Sequence, residues 1–229
     1  MIGVATPAPA GGFDAELSRL GLKGAVVREA VGASNAERRL CSKKHAAKIA
    51  PGIYAYNGLV TSLSLQLEQD EQDEWERIDL AGVLPIIRNM RTKVALGVTS
   101  GNSLTGLRDG KNQPSSRYPK GELTKRLVDR NTSIGQLQLL DRSPFEVAEP
   151  VDDLEGFNLW LLLVYFDRKQ KEIRYEISLP ERLTARGYMR EWYHRIIPDD
   201  PYKADGYENE DGDPNDGFGP PDIVTVEPR

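Results

Sequence analysis

The stretch FNLWLLLVYFDRKQKEIRYEISL, residues 157–179, decides the fold. Residues 159–166 are apolar or aromatic without a break, and Asp167 closes the run. Such a run is short for a helix and ends in a polar turn, Arg168-Lys169-Gln170, so it predicts a strand buried on both faces. Residues 171–179 then alternate strictly. Ile173, Tyr175, Ile177 and Leu179 fall on one side, and Glu172, Arg174, Glu176 and Ser178 on the other. That period of two predicts an antiparallel partner strand, dry on one face and wet on the other. The hairpin marks the centre of the protein, and its wet-face charges are assigned to solvent.

Working outward, residues 83–88 and 92–99 are β-rich and meet tightly around Asn89-Met90-Arg91, which predicts a second hairpin. Pro85 has no N–H to give a ladder, so the first of these runs is expected at a sheet edge. Val94, Leu96 and Val98 should face the core, and Ala95 and Gly97 leave room for a close neighbour behind them. Residues 188–197 predict a fifth strand with Trp192, His194 and Ile196 on one side, ended by Pro198. A long polar loop at 100–121 precedes a helix from about Glu122 to Arg130, buried through Leu123, Leu127 and Val128.

The N-terminal third reads as helical. Asp14 can cap a helix to about Val31, weakened by Gly21 and Gly24 and stopped at Gly32. Ser34 or Asn35 can cap a second through Lys48, stopped by Pro51-Gly52. Tyr56, Leu59, Val60, Leu63 and Leu67 stripe a third. The acidic run at 68–79 reads as a solvated connection in which Trp75 docks. The expected fold class is α+β: N-terminal helices packed on an antiparallel sheet of about five strands, with an acidic, Pro/Gly-rich C-terminal tail. The expected organisation is a flexible stretch at 1–12, a single α+β domain at 13–198 (helical 13–79, sheet-rich 80–198), and the tail at 199–229, with an edge strand at 223–226.

A chain of 229 residues can bury about 70% of its unfolded surface, so its core needs neither metal nor disulfide. Its lone Cys41 excludes an internal disulfide and a multi-cysteine zinc site. The N-terminus has neither a basic region nor an apolar segment of the signal-peptide kind, and no apolar run approaches a membrane span. The expectation is a cytoplasmic protein with no cofactor, no metal and no membrane partner. His45 and His194, the two histidines, read as a surface and a core residue. The acids of residues 211–222 have oxygens at some positions of a calcium loop, but glycine and prolines fall at the wrong places.

The net charge of −5 conceals a partition. Residues 80–145 hold eleven Lys/Arg against four Asp/Glu, and residues 199–229 hold two against ten. A basic middle beside an acidic tail points to a polyanionic partner, or to a tail that neutralises its own chain. The loop opening Ser100-Gly101-Asn102 leaves a strand with glycines and hydroxyls, which can turn backbone N–H groups into a nest for anionic oxygens. Its spacing matches neither a P-loop nor GxGxxG, and turn-forming residues suit any strand exit. The candidate anion- or nucleic-acid-binding set is Arg88, Arg91, Lys93, Ser100, Gly101, Asn102, Lys111, Arg117 and Lys120. No catalytic residue is assigned.

The expected function is therefore a non-enzymatic binding or regulatory protein that contacts nucleic acid or another polyanion through the basic middle. The tail would compete for that region or recruit a protein partner. One alternative is a metal-dependent nuclease or phosphodiesterase using Asp153, Glu155, Asp167, Glu172 and Glu176. Against it, Arg174 stands where such a strand wants a lysine, and arginine cannot serve as a base. The other alternative is a purely protein-binding module.

Overall fold

The computed structural model describes residues 12–42, 44–69, 74–82, 84–108, 112–137 and 154–204. In chain order they form α1 (Phe13–Arg19), α2 (Gly24–Leu40), α3 (Ala50–Glu68), β1 (Trp75–Leu80), β2 (Leu84–Asn89) and β3 (Val94–Ser100). These are followed by α4 (Glu122–Leu137), β4 (Asn158–Asp167), β5 (Glu172–Leu183), β6 (Met189–Ile196) and β7 (Tyr202–Lys203). The sheet runs β1-β2-β3-β4-β5-β6, with β7 pairing the start of β5. The α+β class stands. The sheet is larger than expected, with seven strands, and not wholly antiparallel, because β3 and β4 run parallel from Val94↔Asn158 to Ser100↔Val164. A parallel pair requires a long crossover, and the polar loop plus α4 is that crossover.

The central hairpin forms in the expected register, Asp167↔Glu172 through Leu161↔Ser178. β4 is buried on both faces: Trp160, Leu162 and Val164 join the core under α1, α2 and α3, and Leu159, Leu161 and Leu163 join a second core under α4. Each such side chain taken from water contributes about 1.5–3 kcal/mol, which is why this strand can hold the layers together. The second strand departs from expectation. Glu176 and Ser178 are fully buried, not wet. The cause is the crossover, which lays the 101–108 loop and α4 over that face.

The N-terminal helices break elsewhere than expected. Gly21 adopts φ +76°, and a Cβ there would meet the Asn89 side chain at 2.9 Å, so the first helix ends by Arg19. α2 starts at Gly24 and runs straight through Gly32, the expected stop. Gly32 instead gives way to the ring of Tyr202, about 3.1–3.4 Å from where its Cβ would lie. Ser34 and Asn35 are buried inside α2, not caps, and Pro51-Gly52 open α3 instead of ending a helix.

The acidic run is not all connection. Residues 75–80 form β1, and Trp75 is buried with its Nε1 donating to Gly21 O at 2.9 Å. β1 therefore occupies the sheet edge expected for the Pro85 strand. Pro85 is tolerated because the β2–β3 ladder covers only 87–89 and leaves it outside. Val94, Leu96 and Val98 face the core as expected, and Gly97 makes room for Leu161 and Ile86. In β6 a register shift at Leu179/Pro180 skips Tyr193 and turns the strand over. Trp192 thus enters the α4 core and Ile196 the opposite one, so they do not share a side. α4 extends past the expected Arg130 to Leu137. Among the described residues no helix is long and apolar enough to cross a membrane. The tail beyond 204, its edge strand at 223–226 and the acids at 211–222 lie outside the described residues, as do most of residues 1–12 and the run at 70–73.

Candidate polyanion interface

The predicted basic residues fall at the two ends of β3. Arg88, Arg91 and Lys93 belong to the β2–β3 hairpin; Ser100, Gly101, Asn102, Arg117 and Lys120 belong to the crossover beyond the other end. The seven residues of β3 separate the groups by about 23 Å at roughly 3.3 Å per residue. Lys111 lies outside the described residues.

At the hairpin, Asn89 Oδ1 accepts from the N–H groups of Arg91 and Thr92, and Lys93 closes the turn at φ +55°. Arg88 pairs with Glu76 at 2.8 Å. Lys93 Nζ stands 4.9 Å from the centre of the Phe157 ring.

At the crossover, the amides of the glycine-containing loop are engaged within the protein. Gly101 N donates to Val164 O, Asn102 N to Ser115 O, Leu104 N to Asn102 Oδ1 and Thr105 N to Asn102 O. The loop is latched from behind by charges on β5 and β6. Gly106 N donates to Glu176 Oε2 at 2.7 Å, Arg174 donates to Ser103 O, and Arg195 to Leu107 O. Glu176 is the hub of this latch. Arg195 grips it with two bonds of 2.9 and 2.6 Å, and Ser178 Oγ adds a third at 2.7 Å. A fully buried carboxylate needs such a set of donors, since its desolvation is otherwise prohibitive.

The chain then returns as a strap along residues 112–121. Arg117 N donates to Ser100 O, Ser116 N to Met189 O and Lys120 N to Gly187 O. Trp192 Nε1 donates to Pro114 O, and Ser116 Oγ accepts from Met189 N. Strap and β5–β6 turn thus run side by side, and three residues that the sequence reading did not single out join the set: Arg186, Tyr188 and Arg190. Arg117 lies over Tyr118 at 5.7 Å and Arg190 over Tyr188 at 5.9 Å. The signal was legible as Arg186-Gly187-Tyr188-Met189-Arg190, whose alternation sends Tyr188 and Arg190 to the same side. What the sequence could not supply is the adjacency of residues 117–120 and 186–190.

The acidic side chains proposed for metal chemistry are tied up in ion pairs: Asp167 with Arg174 at 3.0 Å, Glu172 with Lys203 at 3.0 Å, and Glu176 with Arg195. Glu155 is exposed away from them, and Asp153 lies outside the described residues. Among the described residues no three His, Cys, Asp or Glu side chains come together as a metal site. His194 Nε2 lies 2.7 Å from Glu16 Oε2 and edge-on to Trp160, a satisfied, partly buried histidine.

Among the described residues, the strap and turn bring Arg117, Tyr118 and Lys120 beside Arg186, Tyr188 and Arg190 on one side of an α+β protein. No protein-family model, no curated protein and no solved structure matches the chain.

Proposed function

We propose that the protein is a non-enzymatic binding protein whose partner is a nucleic acid or another polyanion. The contact is made by the strap and the β5–β6 turn, with Arg91 and Lys93 as a second, more distant point of contact. The observation that carries this reading is the pairing of residues 116–120 with 187–189, which joins two cationic, tyrosine-bearing segments into one rim. Cations engage phosphates and tyrosine rings offer stacking faces, a combination suited to nucleic acid. The ion-paired state of Asp167, Glu172 and Glu176 favours binding over the nuclease alternative, since each would have to leave its cation to hold a metal. In this reading the acidic segment after β6 competes for the rim.

A mobility-shift titration with single- and double-stranded oligonucleotides tests the proposal. Retardation at about 50 mM salt that fades steeply towards about 200 mM is expected, and Arg117→Glu with Lys120→Glu should weaken it. Absence of any shift at the lower salt would end the reading.

A further inference from the structure

The end at which α2 and α3 are joined is unlike the rest of the surface. From residue 38 to residue 67 the chain has no Asp or Glu, yet it carries Arg38, Arg39, Lys43, Lys44 and Lys48. Among the described residues six large apolar side chains are exposed, and three belong to this segment: Leu40 at 74%, Ile49 at 47% and Tyr54 at 46%. α2 and α3 pack side by side and are level where a Cβ on Gly58 would meet the Glu37 side chain at 2.6 Å. Leu40 lies about one turn past Glu37 and Tyr54 about one turn before Gly58, so both reach the joined end, where Ile49 precedes α3. Arg39, Lys44 and Lys48 are exposed in the same segment, whereas Arg38 lies over the Phe166 ring and Lys43 falls outside the described residues. The connection is folded into turns: Ala46 N donates to Ser42 O, Ala50 N to Ala47 O and Ile53 N to Ile49 O. Asp79, the acid whose charge reaches Tyr56, is paired with Arg77 at 2.6 Å.

We propose that this end of the helix pair docks on an anionic bilayer surface. Leu40 and Ile49 enter below the head groups, Tyr54 sits at their level, and Arg39, Lys44 and Lys48 meet their negative charge. Charge complementarity favours this partner, because the segment is acid-free and cationic. The net charge of −5 does not oppose it: residues 205–229 hold eight acids and one arginine, and residues 1–204 are net positive. The apolar side chains favour lipid over nucleic acid, since two of the three are aliphatic and offer a base no ring to stack on. Size favours lipid over protein. A standard protein interface engages about 20–30 residues a side, more than residues 39–54 supply, whereas a bilayer needs only shallow insertion of a few apolar groups beside cations. The expectation of no membrane partner rested on the want of a spanning run, and a peripheral contact needs none. The surface is separate from the strap, since α2 and α3 cover one face of the sheet and α4 the other.

Co-sedimentation of the full chain with vesicles of phosphatidylcholine, alone or with about 30% phosphatidylserine, tests this. At about 100 mM salt the chain should pellet with the anionic vesicles and stay in solution with the zwitterionic ones. Leu40→Ser with Ile49→Ser should lower the apparent affinity at least about tenfold, and Lys44→Glu with Lys48→Glu should do the same. All four positions are exposed, so helical circular dichroism should be unchanged. Arg117→Glu with Lys120→Glu should leave vesicle binding intact, which separates this contact from the one proposed for the strap. A full chain that ignores anionic vesicles, or binds them regardless of Leu40→Ser with Ile49→Ser, overturns the proposal. Without vesicle binding, loss of oligonucleotide retardation in the Lys44→Glu, Lys48→Glu variant assigns the patch to nucleic acid instead. Vesicle binding that appears only after removal of residues 205–229 assigns it to the chain's own acidic segment.

Discussion

Glu176 has no exposed surface, and its carboxylate stays in the interior only because Arg195, Ser178 and the Gly106 amide surround it. Arg195→Met should therefore cost about 3–5 kcal/mol, since it strands a buried charge. Adding Glu176→Leu should recover much of that loss in a urea-unfolding cycle. A second prediction concerns alkaline pH. Tyr56 is pushed up to about 12, chiefly by burial, with Arg77 lowering it and Asp79 raising it. Tyr175 is raised as well, again by burial first. A phenol that is harder to ionise when folded lends stability that is whole below its unfolded value near 10 and is lost as pH climbs through the folded one. Absorbance at about 295 nm should thus show these two rings ionising after the exposed tyrosines, with unfolding accompanying their ionisation. The environment of Glu176 could not be read from its alternation in residues 171–179, because period two fixes the side of the sheet and not what covers that side.

At the scale of elements, Asn131 shows how α4 is joined to the sheet. Its amide donates to Leu159 O and Pro180 O and accepts from Leu159 N, at the end of the β4–β5 ladder where Pro180 has no N–H to give. Asn131→Ala leaves these buried backbone groups unpaired and should cost about 2–3 kcal/mol. Hydrogen exchange at the Leu159 amide should accelerate with it. The β4–β5 turn ends on Lys171 at φ +52°, exposed to solvent. Lys171→Gly removes the side-chain clash of that left-handed backbone, worth about 1–2 kcal/mol, and adds back a smaller entropic cost. A modest rise in Tm is the expected result. The hairpins at 89–91 and 168–170, the α3 stripe and the close approach at Gly97 were legible, since each is written in residues a few positions apart, whereas the β1–β2 hairpin was hidden in the acidic run read as a connection. The parallel β3–β4 pair was not legible, because it joins strands distant in sequence, and neither was the bulge at Tyr193, because it follows from the two ends of β6 entering opposite cores.

For the whole molecule, the proposed polyanion contact predicts salt dependence. Each phosphate-contacting cation removed should lower the slope of log affinity against log salt by about 1, so Arg190→Glu should act like Lys120→Glu if both face the same ligand. Removing the acidic residues 205–229, which leaves β7 intact, should raise affinity at every salt concentration if that segment competes for the rim. An unchanged affinity would remove the regulatory half of the reading. Of the candidate set, charge content and the Arg117–Lys120 segment were readable in sequence; the separation of the hairpin cations from them was not.

By itself the sequence determined the α+β class, the doubly buried β4 and the hairpin around Arg168-Lys169-Gln170, because hydrophobic period and turn chemistry are local and set which faces avoid water. Only the tertiary structure decided that β3 and β4 run parallel, that the crossover buries Glu176, and that residues 117–120 meet 186–190. Those outcomes are pairings between segments roughly 60 or more residues apart. They are selected by the joint burial of two cores on one sheet, a quantity that no short window of sequence contains.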